Sequence, residues 1–290
     1  NQNSKFLPGY SFPNNINITN SKSEALENTD LVILAVPSIT FRENITNIKD
    51  FISSNSILLS ATKGIEISSG LRMTQIIKNE ISNVSDQNIC VLSGPNLAKE
   101  IIQGKPCSSV VASSDENTIN TVQDILNSEL FRLYGNTDII GVEIAGAMKN
   151  ITAIASGISD GLNFGDNAKS SLITRGLAEM TRLGVAMGAK QSTFSGLAGM
   201  GDLIATCSSP QSRNNQLGMR LGQGETLKNI QSSMVNVAEG VSTTKAVINI
   251  SKSMKINMPL AEAVFKVLFE NIKPIDAYKS LMNRTTKLEI

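Results

Sequence analysis

The sequence predicts an α/β protein in two parts, a doubly wound parallel sheet followed by an all-helical C-terminal domain. Three observations carry this. Short apolar runs that do not alternate recur through residues 31–113, as expected for parallel strands covered on both faces. Stretches with apolar residues three and four apart lie between them. From about residue 138 onward only the helical period persists.

The strands are read as LVILAVP (31–37), SILLSATKG (56–64), NICVLSGP (88–95) and SSVVAS (108–113), with FRLYGN (131–136) as a weaker fifth. SGLRMTQIIKNEISNV (69–84) and ENTINTVQDILNS (116–128) supply crossover helices, so the strands and helices form βαβ units. The later helices are VEIAGAMKNITAIASGISDGL (142–162), NAKSSLITRGLAEMTRLGVAMGA (167–189), VSTTKAVINISKSM (241–254) and LAEAVFKVLFEN (260–271). The division expected is 1–137 for the sheet and 138–290 for the helical part, with a cleft between them.

Composition narrows the function. The 290 residues are 41% hydrophobic and 18% charged, a soluble globular balance. A net charge of +1 with no basic block argues against nucleic acid or anionic lipid as partner. No apolar run approaches the roughly 18 to 20 residues of a membrane span, and the opening lacks signal-peptide order, so a cytoplasmic protein is expected. Histidine is absent altogether, which removes Ser-His-Asp and Cys-His pairs and His-based metal centres; no metal site is expected. The odd trio Cys90, Cys107 and Cys207 fits reduced, small apolar residues better than a disulfide framework.

Protons must then move through other groups. Lys149 interrupts a small, apolar helical stretch, with Ala145, Gly146, Thr152 and Ala153 on its own face. Burial there would lower its pKa and fit it for acid/base work near neutrality; the alternative is a lysine whose stem snorkels to the surface. In SGLAGMGDLIATCSSPQSRNNQLG (195–218), Gly196, Gly199 and Gly201 allow close backbone approach and Asp202 follows. Ser212, Arg213 and Asn214 then set a hydroxyl, a guanidinium fork and an amide side by side, suited to a phosphate monoester. The bland alternative is a glycine-rich loop before a polar helix. Lys63 follows the second strand where ligands sit in open α/β sheets, or is a solvated turn lysine. Arg175, Glu179 and Arg182, spaced by four and three, read as a solvated ion-pair stripe.

The ordered series VPS, ATKG, SGP-x-x-A-K-E, GAMKN, SDG-x-x-FG-x-N, ITRGLAEM-x-RLG, GLAGMGDL, QSRN, LGQG and VAEG-x-x-TTK resembles the bacterial type of NAD(P)-dependent glycerol-3-phosphate dehydrogenase, from FLPGYSFP (6–13) to near the end. The resemblance implies a Rossmann-type domain plus a helical domain, and NAD or NADP as cofactor. It implies interconversion of sn-glycerol 3-phosphate and dihydroxyacetone phosphate, supplying phospholipid synthesis. Carried over by position, Lys149 would be the proton donor or acceptor. Lys63, Gly94, Asn96, Asp202, Ser212, Arg213 and Asn214 would hold substrate, and Lys63, Ala98, Arg213, Val237 and Glu239 would border the cofactor. Asn96 stands where the family pattern has threonine.

The G-x-G-x-x-G turn of a complete dinucleotide domain is not in these residues, so the chain is expected to start after it, its Rossmann-type sheet partial. Two other readings stay open: a related two-domain β-hydroxyacid or ketoacid dehydrogenase, and a cofactor-free phosphate-binding pseudoenzyme. A homodimer is the assembly to consider.

Overall fold

A computed structural model describes residues 2–234, 238–285 and 288. Its sheet has five strands, β1 (Leu31–Leu34), β2 (Ile57–Ser60), β3 (Ile89–Ser93), β4 (Cys107–Ser113) and β5 (Phe131–Asn136), lying side by side in chain order. Each coincides with an apolar run of the sequence, the weak fifth included. β1, β2 and β3 are parallel, with Leu34 beside Ser60 and Ser60 beside Val91, so their carboxyl ends line up.

The sheet is not parallel throughout. β4 runs antiparallel to β3, with Ser93 opposite Val110, and β5 is parallel to β4. The connection explains the reversal. Between β3 and β4 the only helix is α4 (Ala98–Ile102), too short to carry the chain back along the sheet as a crossover must. The chain therefore re-enters from the end at which it left. Crossovers elsewhere are longer: α2 (Phe41–Ile48) after β1, α3 (Met73–Glu80) after β2, and α5 (Glu116–Leu126) between β4 and β5. The short α1 (Lys22–Leu26) precedes β1.

Apolar residues on the two faces of the sheet meet different helices. Val32, Leu34, Leu58 and Ile89 pack with Phe41, Ile45, Ile76 and Ile77 of α2 and α3. Leu59, Cys90, Val111 and Leu133 pack with Ile119 and Val122 of α5. Burial pushes the thiols of Cys90 and Cys207 up to about 12, in keeping with their reading as small apolar residues.

Beyond β5 every element among the described residues is helical, the main ones being α6 (Ile139–Gly161), α7 (Gly165–Ala186), α8 (Asp202–Ser208), α9 (Arg213–Gly222), α10 (Leu227–Ser233), α11 (Glu239–Ser253), α12 (Pro259–Phe269) and α13 (Pro274–Met282). α6 is the central element. By length and composition it would pass as a membrane span, which the reading of short apolar runs did not foresee, yet 89% of its most apolar window is buried inside the protein. Asp138 caps its start, accepting from Gly141 N at 2.9 Å, and also holds Lys190 N at 2.8 Å and Thr193 Oγ1 at 2.6 Å. Buried Glu143 anchors α6 to the first turn of α3, accepting from Thr74 N at 2.8 Å and pairing with Arg72.

α6 and α9 touch through their backbones. A Cβ on Gly157 would lie 2.0 Å from Asn215 O, one on Gly161 2.2 Å from Met219 O, and one on Gly218 2.1 Å from Ile154 O. Only glycine permits that approach.

Glu179 corrects the expected solvated stripe. It is buried at the start of α12, accepting from Leu260 N at 2.6 Å and Ala261 N at 3.1 Å, while Arg182 Nη1 donates to Asn257 O at 2.6 Å. The carboxylate serves the amide donors that a helix start leaves open. Burial nonetheless raises its pKa to about 7, outweighing those two hydrogen bonds.

Candidate active site

Lys149 lies near the middle of α6 and is only 7% exposed, so the snorkelling alternative fails. Its Nζ donates to Asp202 Oδ1 and, at 2.8 Å, to Thr206 Oγ1. Thr206 in turn donates to the same Oδ1 at 3.2 Å. Asp202 is delivered by a tight π-helical turn over Leu197–Gly201 that runs straight into α8. That turn sits hard against Phe194, because a Cβ on Gly199 would meet Phe194 O at 2.2 Å.

The other oxygen of Asp202 belongs to the sheet. Lys63, just past the end of β2, donates to Asp202 Oδ2 at 2.8 Å, to Gly94 O at 3.0 Å and to Asn96 Oδ1 at 3.1 Å. Its stem passes Gly146 of α6, where a Cβ would lie 3.5 Å from Lys63 Cγ and 2.7 Å from Ser93 Oγ. One carboxylate thus joins a lysine of the sheet to a lysine of the helical core.

The two lysines are not equivalent. An ammonium has three donors. Lys63 has all three occupied by protein atoms, whereas among the described residues Lys149 has two occupied and one open. Burial, and next the neighbouring charge of Lys63, bring Lys149 down to about 7 against the pull of Asp202. For Asp202 burial works upward, but the two ammonium groups prevail and hold it below the usual carboxylate range. A lysine poised near neutrality, with one open direction, can give or take a proton.

The remaining expected residues fall around this centre. Ser212 caps α9, its Oγ accepting from Asn215 N at 3.3 Å with the hydroxyl proton still free to donate. Arg213 is the first residue of α9, exposed and without a side-chain partner among the described residues. Asn214 donates to Asn150 Oδ1 at 2.9 Å, beside Lys149, and accepts from Gly240 N at 2.9 Å, beside Glu239. Glu239 opens α11 and meets Ser38 past the end of β1. Ala98 is exposed at the start of α4, and Val237 lies outside the described residues. Thr206, Asn150 and Ser38 were given no role in the sequence, although Asn150 and Ser38 lie in the GAMKN and VPS motifs. Thr206 alone had a clear signal there, lying four residues after Asp202 and so on the same helical face. A separate cavity of about 580 Å³, between α5, the end of β5 and residues 190–198, contains none of these charged groups.

Comparison with known proteins gives a consistent result. Residues 1–119 match the family pattern described as NAD-dependent glycerol-3-phosphate dehydrogenase N-terminus, and residues 138–279 its C-terminus. A glycerol-3-phosphate dehydrogenase [NAD(P)+] of Dehalococcoides mccartyi is 50% identical over 96% of this chain and 77% of its own length. One of Corynebacterium glutamicum is 45% identical over 99% and 87%. The crystal structure of glycerol-3-phosphate dehydrogenase from Coxiella burnetii superimposes with a TM-score of 0.93 at 38% identity, covering 97% of this chain and 86% of that one.

Proposed function

Because the chain belongs to the NAD-dependent glycerol-3-phosphate dehydrogenase family, we propose that it interconverts sn-glycerol 3-phosphate and dihydroxyacetone phosphate with NAD or NADP. The observation that carries the reading is the inequality of the two lysines on Asp202: among the described residues only Lys149 keeps an open donor.

The residues present fit a dinucleotide. Three parallel strands present aligned carboxyl ends, where such cofactors bind in open α/β sheets. Near the end of β3, Ser93 Oγ is buried without a partner against Gly146 and Lys63, a polar atom suited to a ligand amide or hydroxyl. Ala98, Arg213, Val237 and Glu239 would border the cofactor, with Lys63 beside it as a neighbouring charge; the cofactor when bound supplies or accepts the hydride at C2.

The chain's own groups do the rest. In the reductive direction the Lys149 ammonium gives a proton to the C2 oxygen of dihydroxyacetone phosphate as that oxygen gains negative charge. In reverse the neutral amine takes the hydroxyl proton. The neutral amine still has two N–H bonds for Asp202 and Thr206, so proton transfer leaves the lysine anchored. Lys63 keeps a fixed positive charge beside the reacting oxygen, and Gly94 and Asn96 hold it there. The phosphate is assigned to the start of α9, where the Arg213 fork, the Ser212 hydroxyl and the helix N-terminus all favour an anion. Residues 1–137 would form the dinucleotide-binding domain and 138–290 the helical domain that carries Lys149, with cofactor and substrate residues drawn from both, within the cytoplasm and in support of phospholipid synthesis.

The test is Lys149→Met. Asp202 keeps Lys63 as partner, so the fold should survive, while kcat should fall about 100-fold or more with NADH affinity little changed. Retained kcat would rule Lys149 out as the proton carrier.

A further inference from the structure

Ser38 and Glu239 lie 201 positions apart and meet where the start of α11 comes against the end of β1. Ser38 N donates to Glu239 Oε1 at 3.1 Å and Ser38 Oγ donates to Oε2. Two donors from one residue on the two oxygens of one carboxylate fix both its position and its plane.

The surroundings of Ser38 are closely packed. Ser38 is buried, and Gly64 lies directly against it: a Cβ on Gly64 would fall 2.4 Å from Ser38 Cβ and 3.8 Å from Glu239 Oε2. The end of β1 is tied to the residue before Lys63, because Thr62 Oγ1 donates to Val36 O at 2.7 Å. At the other side, the first turn of α11 is pinned through Gly240 N to Asn214, which reaches back to Asn150 beside Lys149. Backbone contacts therefore place Glu239, and Ser38 decides where its carboxylate points.

We infer that Ser38 is the positioning residue for Glu239 in cofactor binding, holding the carboxylate so that its remaining lone pairs face hydroxyl or amide donors of the dinucleotide. This rests on the proposed reading of Glu239 as a cofactor residue. Ser38 reaches the dinucleotide through Glu239, and the pair also ties the segment after β1 to the start of α11.

The experiment is a fluorescence titration of NADH into the unmutated protein, Ser38→Ala, Glu239→Ala and the double variant, with thermal melts to verify folding. Ser38→Ala keeps the backbone donor and loses the hydroxyl, so NADH Kd should rise about tenfold, the scale of one charge-assisted hydrogen bond. In the Glu239→Ala background the same substitution should have no further effect, a non-additivity that a general structural role would not produce. KM for dihydroxyacetone phosphate should stay within about twofold in Ser38→Ala, since no substrate group depends on the hydroxyl. An unchanged Kd in Ser38→Ala overturns the inference, as do losses that add in the double variant. Failure of the unmutated protein to bind NADH is a different result, which overturns the proposed function itself.

Discussion

Replacing Lys63 by Met should raise the pKa of Lys149 and leave a mark on the pH profile that no binding defect can imitate. Both ammonium groups bond opposite oxygens of Asp202, which sets them on the order of 4 to 5 Å apart; at an effective dielectric of about 20 their repulsion is roughly 4 kcal/mol. At 1.36 kcal/mol per unit that is nearly three pKa units. Lys63 is partly exposed, and water entering beside the methionine will screen part of it, so a rise of about one to two units is expected. Reduction needs the ammonium form. The inflection in kcat/KM for dihydroxyacetone phosphate, expected near 7 in the unmutated protein from the lowered pKa of Lys149, should therefore move up by that amount, even as the absolute rate falls. Asp202→Asn should move it the opposite way, because burial and the Lys63 charge then act without the counter-charge. The assay is NADH oxidation from pH 5.5 to 9.5 at saturating cofactor. An inflection that stays in place in both variants, or moves in the same direction in both, would refute the electrostatic account of this site.

Other outcomes follow from the same geometry. Arg213→Lys should cost about 1.5 to 3 kcal/mol in kcat/KM for glycerol 3-phosphate, since a point ammonium lacks the planar fork; plain glycerol should be a very poor substrate, and equal turnover of the two would exclude the start of α9 as the phosphate site. Glu179, with its folded pKa raised from 4.5 to about 7, binds more protons folded than unfolded between those values. Its contribution to stability is therefore present below pH 4.5 and lost as pH rises through about 7, at most about 3 kcal/mol. Thermal melts of Glu179→Gln should show a flatter dependence on pH between 5 and 7.5, and an unaltered slope would show that other groups set it.

Much of this arrangement is legible in the sequence because it depends on local chemistry. A strand buried on both faces must be apolar along its length, so each strand stands out, and a lysine among alanines and glycines stands out for the opposite reason. Strand direction does not show in composition. β4 has the same character as β3, and its reversal comes from the short helix between them. Glu179 reads as a surface residue because its spacing suits an exposed helix; only packing brings the start of α12 onto it. The bond between Ser38 and Glu239 is equally remote, since each is an ordinary polar residue until the fold sets one against the other.

The backbone seam between α6 and α9 gives the site a fixed ruler. Lys149 lies eight residues before Gly157, and Arg213 five before Gly218, so both hang from the same run of contacts. Side chains elsewhere can change size without altering a spacing measured between main-chain atoms. The tolerance for error is correspondingly small at the seam itself. One added methyl at Gly157 or Gly218 would push the helices apart and lengthen the reach from proton carrier to phosphate anchor, so that a substrate held at one end would miss the other.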